Sequence, residues 1–260
     1  MKIPFYQIDA FARRTFAGNP AGVCVLERWL EDRTMLAIAA EKNLPATAFL
    51  VPGDAASAIR WFAPAGELEL CGHATLASGY VVLNVLRPDR SRVDFDSAAG
   101  RLEVQRDRDR FALDFPAMPP EQQHDPDLVT HAIGLRPAEL WEAAGGRGMA
   151  VLAEASQVLD LRPDMAAVAA LPFSALVVTA PGFENDCDFV SRYFAPKHGI
   201  AEDFVTGSAH CVLVPYWAQA LRKPQLFARQ LSSRGGELWV EDLGARVRIA
   251  ASAQRSPKER

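Results

Sequence analysis

The sequence predicts an α+β chain of two similarly built halves, and three observations carry that expectation. Strand-like and helix-like segments follow each other in a similar order along both halves of the 260 residues. Two of the helical segments are apolar almost all round, and a helix without a polar face belongs in an interior. One short step occurs twice: an aromatic strand, an acidic loop, then a glycine that opens an apolar helix.

The elements follow in order. Phe5 to Phe11 and Gly22 to Glu27 read as strands, joined by a loop with the turn chemistry of Gly18-Asn19-Pro20-Ala21-Gly22. Leu30 to Asn43 reads as a helix that Pro45 ends, because proline removes a donor and restricts the residue before it. Ala46 to Val51 and Ile59 to Ala63 read as strands, and Ala74 to Leu86 as an all-apolar helix. Val93 to Ser97, Leu102 to Arg106 and Arg110 to Phe115 alternate apolar and polar residues about turn signals, which is a meander. The polar, proline-rich run from Met118 to Pro126 reads as a linker with a solvated His124, dividing the chain into a 1–118 half-domain, open to completion by C-terminal residues, and a 119–260 half-domain. Beyond it, strands are expected at Leu140 to Ala144, Met149 to Ala153, Ala175 to Ala180 and Cys187 to Ala195, with a hairpin loop at Gly145 to Gly148. Two hairpin strands, Leu226 to Leu231 and Glu237 to Ile249, precede a tail, Ala253 to Arg260, expected to be disordered.

The repeat is the most informative internal feature. Arg60-Trp61-Phe62-Ala63-Pro64 precedes Cys71-Gly72-His73-Ala74, and Arg192-Tyr193-Phe194-Ala195-Pro196 precedes Thr206-Gly207-Ser208-Ala209. Agreement of this step with the strand order on each side points to duplication. The second helix carries Pro215, where a kink is expected.

Charge and composition narrow the function. A net charge of -4 leaves no electrostatic footprint for nucleic acid, and 49% hydrophobic residues suit a globular protein that handles a small molecule. No apolar stretch reaches the roughly 18 residues needed to cross a bilayer, and the start lacks the apolar core of a signal peptide, so a cytoplasmic protein without membrane contact is expected. Cys24, Cys71, Cys187 and Cys211 lack C-x-x-C spacing, which speaks against zinc and against a redox pair and leaves reduced, mostly buried thiols. No G-x-S-x-G elbow, P-loop or H-E-x-x-H motif is present, and His131, His198 and His210 have no metal-ligand spacing.

The repeated step has two readings. A helix start leaves backbone N–H groups without intrahelical partners and carries partial positive charge, so a glycine there admits an anion. Gly72 and Gly207, with the Ser208 hydroxyl, then form two jaws that hold a carboxylate. In the other reading these are only capped, buried helices with glycines in tight turns. His73 can donate, accept or relay a proton, and Cys71 at a helix start can serve as a base or merely pack. Glu67, Glu69, Glu202 and Asp203 precede the two steps, where a carboxylate can steer His73, hold a substrate amine or be simply solvated.

The motifs "FYQIDAF", "FAGNPAGV", "NLPATAFL", "FAPAGELELCGHATLA" and "EDFVTGSAHCVLVPYW" together resemble the phenazine-biosynthesis isomerase family, the PhzF-like proteins, which share the diaminopimelate epimerase fold. The resemblance covers both halves in order. It implies two pseudo-symmetric domains, each a β-barrel-like sheet around a central helix, with the site between them. It also implies no metal or organic cofactor, a homodimer, and isomerisation of a small cyclic amino or hydroxy acid by proton shuttling, the best-known case being trans-2,3-dihydro-3-hydroxyanthranilate. Carried over by motif, His73 and Asp203 are polar catalytic-site residues. Ser208 and the backbones of Gly72, His73 and Gly207 bind the substrate carboxylate.

The departure is at Ala46. Family members usually carry glutamate there as the general acid/base, and a methyl group cannot accept a proton. A positioned acid/base contributes about 10²- to 10⁴-fold in rate. Three explanations stand: a deliberate replacement of glutamate in this chain, another base in its place, or a protein that only binds a small acid. Phe204, where the family usually has proline, affects only loop geometry. Related two-thiol epimerases place a cysteine at each helix start; here those positions are Cys71 and Thr206, which leaves room only for one-sided Cys71 chemistry, epimerisation or dehydration of a hydroxylated amino acid.

Overall fold

A computed structural model describes residues 2–257. The chain divides into two units, one formed by residues up to 114 together with 250 onward, the other by residues 115–249.

The first unit contains β1 (Phe5–Ala10), β2 (Asn19–Val25), α1 (Asp32–Lys42), β3 (Ala46–Val51), β4 (Ser57–Ala63), β5 (Gly66–Leu68), α2 (Gly72–Val81), β6 (Arg92–Ser97), β7 (Gly100–Asp107) and most of β8 (Arg110–Pro116). The second contains β9 (Gln122–His124), α3 (Asp127–Ile133), β10 (Glu139–Ala143), β11 (Arg147–Val151), α4 (Ala155–Asp160), α5 (Met165–Ala170), β12 (Ala175–Pro181), β13 (Phe189–Ala195), β14 (Ile200–Asp203), α6 (Gly207–Leu221), β15 (Gln225–Gln230), β16 (Gly236–Asp242) and most of β17 (Arg246–Ala251). A final strand, β18 (Ala253–Arg255), belongs to the first unit.

Strand pairing repeats element by element. In the first unit β1 runs antiparallel to β18 and β2, β2 parallel to β3 across α1, β3 antiparallel to β4, and β4 parallel to β6 across α2. In the second, β10 runs antiparallel to β9 and β11, β11 parallel to β12 across α4 and α5, β12 antiparallel to β13, and β13 parallel to β15 across α6. The short antiparallel strands β5 and β14 lead into the two apolar helices. This is a mixed α+β architecture in which strands dominate.

Each sheet wraps its long helix on one face. α2 packs against β1, β2, β3, β7 and β18, and seven of its residues from Ala74 to Val81 are buried. Its polar side chains survive there because Thr75 and Ser78 donate to the carbonyls of Cys71 and Ala74, each at 2.7 Å. A methyl group added at Gly79 would fall 2.4 Å from Val104 Cγ1, so the helix lies as close to β7 as a bare backbone permits. α6 reaches β12 through Trp217 Nε1, which donates to Thr179 Oγ1 at 2.9 Å, and β13 through the stacked rings of Phe189 and Trp217. On the opposite faces, α1 covers Cys24, Phe49 and Phe62, while α3, α4 and α5 cover residues such as Leu140, Val178 and Phe194.

Several expectations are corrected. β2 starts at Asn19 because the reversal is completed at Gly18, whose φ of +72° brings a Cβ position within 2.1 Å of the Ala10 carbonyl oxygen. α2 ends at Val81, and Val82 to Leu86 form a π-helical turn. The supposed linker contains β9, paired with β10, and His124 is half-buried with Nε2 2.7 Å from Glu142 Oε2 rather than solvated. Polar side chains hid this edge strand from an alternation test. Glu237 to Ile249 is two strands, β16 and β17, separated by Gly244 at φ +79°. Within the supposed disordered tail, Ala253–Arg255 pairs with Ile8–Ala10, supplying the backbone partners that the free side of β1 needs. Residues 258–260 of that tail lie outside the described residues.

Candidate active site

Cys71 and Thr206 are the N-cap residues of α2 and α6, and their extended backbones match, with φ and ψ of -141° and 99° at Cys71 and -116° and 99° at Thr206. Neither N-cap side chain makes a capping hydrogen bond to a first-turn backbone N–H of its own helix. Gly72 and His73 occupy the first turn of α2, and Gly207 and Ser208 the first turn of α6. These are the positions the sequence singled out, and in both halves they open the long buried helix.

In the first unit the structure brings His73 against Cys71, with Sγ 3.4 Å from Nδ1 and 3.9 Å from Nε2. Cys71 is buried, while His73 keeps some surface. The protein around the imidazole removes enough water to push its pKa down to about 4, so at neutral pH the ring is uncharged with one bare nitrogen. Ala46 opens β3 and is fully buried. Thr47, Phe49 and Val51 take the face toward α1, so alternation turns Ala46 to the other face, the one α2 covers. Phe62 pairs with Thr47, and its repeat equivalent Phe194 pairs with Leu176; the counterpart of Ala46 is therefore Ala175. Both halves carry a methyl group where the family resemblance implies one carboxylate.

In the second unit Asp203 meets Thr206, whose hydroxyl donates to Oδ2 at 2.6 Å. Thr206 is held from two further sides. Its N–H donates to Gln230 Oε1 at 2.8 Å, and its carbonyl lies 2.9 Å from His210 Nδ1. Gln230 was missed in the sequence, although a signal exists: Leu226, Ala228 and Gln230 form the buried face of β15, and a glutamine there needs partners. His210 is fully buried, and that burial pushes its imidazole down to about 4.

The remaining loop carboxylates have other work. Arg60 Nε and Nη2 donate to the two oxygens of Glu67 at 2.6 and 2.7 Å, and the guanidinium lies 5.2 Å from the Phe62 ring centroid. Arg192 Nε and Nη2 donate to the two oxygens of Glu202 at 2.7 and 2.9 Å, and the guanidinium lies 5.1 Å from the Phe194 ring. Glu67 and Glu202 thus brace the strands before each helix, while Glu69 is exposed. All four cysteines are free, and burial pushes the Cys24 and Cys211 thiols up to about 12. Among the described residues no group of three or more His, Cys, Asp and Glu side chains is placed to ligate a metal, and no helix is long and apolar enough to cross a membrane.

Comparison with known proteins agrees with this architecture. Residues 8–255 match the family model of the phenazine biosynthesis-like proteins, PhzC-PhzF. An uncharacterized isomerase of Pseudomonas aeruginosa is 47% identical over 253 residues, covering 97% of this chain and 96% of that protein. The crystal structure of a phenazine biosynthesis PhzF-family protein from Enterococcus faecalis superposes with a TM-score of 0.94 at 41% identity, covering 98% of this chain and 97% of the other. The chain therefore belongs to the phenazine biosynthesis-like family, whose named relatives include isomerases. A hydroxyproline epimerase of Agrobacterium vitis, 10% identical with a TM-score of 0.62 over 97% of this chain and 90% of its own, shares the fold alone.

Proposed function

We propose that this chain is a cofactor-independent isomerase that moves a proton within a small cyclic amino or hydroxy acid, slowed by the methyl group at position 46. The observation that carries the reading is the matched pair of uncapped helix starts at Cys71 and Thr206. In this reading Gly72, His73, Gly207 and Ser208 bind the substrate carboxylate through first-turn N–H groups and the Ser208 hydroxyl. His73, neutral at pH 7, and Asp203, oriented by Thr206, handle protons and a substrate amine. The homodimer expected from the resemblance belongs to the same reading.

A carboxyl group introduced at the buried position 46 loses water, and desolvation raises its pKa toward the range where it can both take and return a proton near neutrality. Proton exchange from D2O into trans-2,3-dihydro-3-hydroxyanthranilate, followed by NMR, tests this. Ala46→Glu is expected to exceed the parent chain by about 10²- to 10⁴-fold. No gain with this or other cyclic amino acids overturns the reading.

The 3.4 Å contact between Cys71 and His73 favours a second reading. The neutral imidazole can accept a hydrogen bond from the thiol and so orient it, and the fraction present as thiolate then acts as a one-sided base on a hydroxylated amino acid. Cys71→Ser is expected to abolish such activity while leaving proton exchange in Ala46→Glu in place; an unaffected rate rules the thiol out.

A further inference from the structure

Gln230 makes a set of bonds that leaves its amide only one orientation. The side chain is buried, and its amide bonds three atoms of the loop that carries Asp203. The Thr206 N–H can only donate, so the atom 2.8 Å from it is the amide oxygen. Nε2 then lies 3.0 Å from the Asp203 carbonyl oxygen and 3.3 Å from Thr206 Oγ1. An amide nitrogen cannot accept, so Thr206 Oγ1 must accept from it, which leaves the single hydroxyl proton for Asp203 Oδ2 at 2.6 Å.

Resting on Asp203 as a site residue, we propose that Gln230 is a positioning residue that directs the Thr206 hydroxyl proton onto Asp203 and so holds this carboxylate in one orientation. The clamp is confined to one half. Counted from Phe62 and Phe194 through the parallel pairings of β4 with β6 and β13 with β15, the counterpart of Gln230 is Ser97, whose hydroxyl turns to the Gly100 carbonyl at 2.7 Å. In the half with a cysteine at its helix start the counterpart side chain is thus engaged elsewhere, and in the half with a threonine it closes the clamp. The charged and titratable groups around the loop include the Arg192–Glu202 pair, Arg234 over the Phe204 ring, His210 on α6, Tyr193 opposite Asp203, and Lys197 and His198 in the turn before β14.

Carboxyl ¹³C NMR titration of Asp203 in the full chain, assigned with Asp203→Asn, tests the clamp without any substrate. A hydroxyl bond to the charged form lowers a carboxyl midpoint, so Thr206→Val is expected to raise it by about one to two pH units and Thr206→Ser to leave it in place. Gln230→Met is expected to raise it in the parent chain and to add nothing in Thr206→Val. Should Gln230→Met not fold, Gln230→Glu keeps the bond from the Thr206 N–H and replaces the donor with an acceptor. Its direct charge effect appears in both backgrounds, and an excess in the threonine background is the expected result. Equal effects with and without the Thr206 hydroxyl, or no effect of either Gln230 variant, overturn the proposal. Failure of proton exchange in Ala46→Glu with an intact titration pattern counts against the proposed function alone.

Discussion

Arg192 grips Glu202 through two parallel hydrogen bonds, at 2.7 and 2.9 Å, and its Nη1 also donates to the carbonyls of Val158 and Leu161. The same arginine, carboxylate and phenylalanine recur as Arg60, Glu67 and Phe62, but nearer water. Side-chain exposures are 10% and 24% for Arg192 and Glu202, against 26% and 42% for Arg60 and Glu67.

Burial should therefore separate the two copies in their effect on stability. Glu202→Gln leaves a largely buried guanidinium without its counter-charge and is expected to cost about 2 to 4 kcal/mol. Glu67→Gln breaks a solvated pair in which Asp32 still serves Arg60 at 2.8 Å, and is expected to cost under about 1 kcal/mol. Urea denaturation of the two variants at pH 7 compares them, and equal losses would refute the burial argument.

Acid should weaken the fold through its two depressed histidines. His73 and His210 are held near pKa 4 by desolvation, whereas a histidine in the unfolded chain titrates near 6.5. Between these values the unfolded chain binds more protons, so their contribution is fully present above about pH 6.5 and declines as pH falls toward 4. The fully buried His210 contributes up to about 3 kcal/mol over that window, and the partly exposed His73 less. His210→Gln, measured by urea denaturation at several pH values, is expected to flatten the slope between pH 6.5 and 4.5. An unchanged slope would show that His210 already protonates in the fold.

Close packing of α2 on β7 makes a third outcome measurable. Gly79→Ala puts a methyl 2.4 Å from Val104 Cγ1 and is expected to lower stability by about 1 to 3 kcal/mol. Val104→Ala makes room, so the double variant should be less unstable than the sum of the two single changes. Strict additivity in thermal melts would mean that the helix shifts instead.

Most of the elements were legible because their signals are local. Ala46 to Val51 shows as a short strand bounded by proline and glycine, the meander after Arg92 shows its faces through alternation, and the helices after Gly72 and Gly207 show burial through the lack of any polar side. The repeated Phe-Ala-Pro step located both helix starts, and family resemblance attached chemistry to them. What escaped were pairings between residues far apart in sequence. β9 and β18 carry little alternation of their own and exist because β10 and β1 offer unpaired backbone.

Sequence alone determined where the two helices begin, that Ala46 carries no titratable group, and that the halves repeat, since these depend on residue identity and short-range pattern. Only tertiary structure decided which loop carboxylates are committed to arginines, which one Thr206 orients, and that Gln230, 24 residues further along the chain, closes the clamp. Glu67, Glu202 and Asp203 are alike as letters in an acidic loop. Their fates differ because a hydrogen bond depends on a few tenths of an ångström between atoms that only the folded chain brings together.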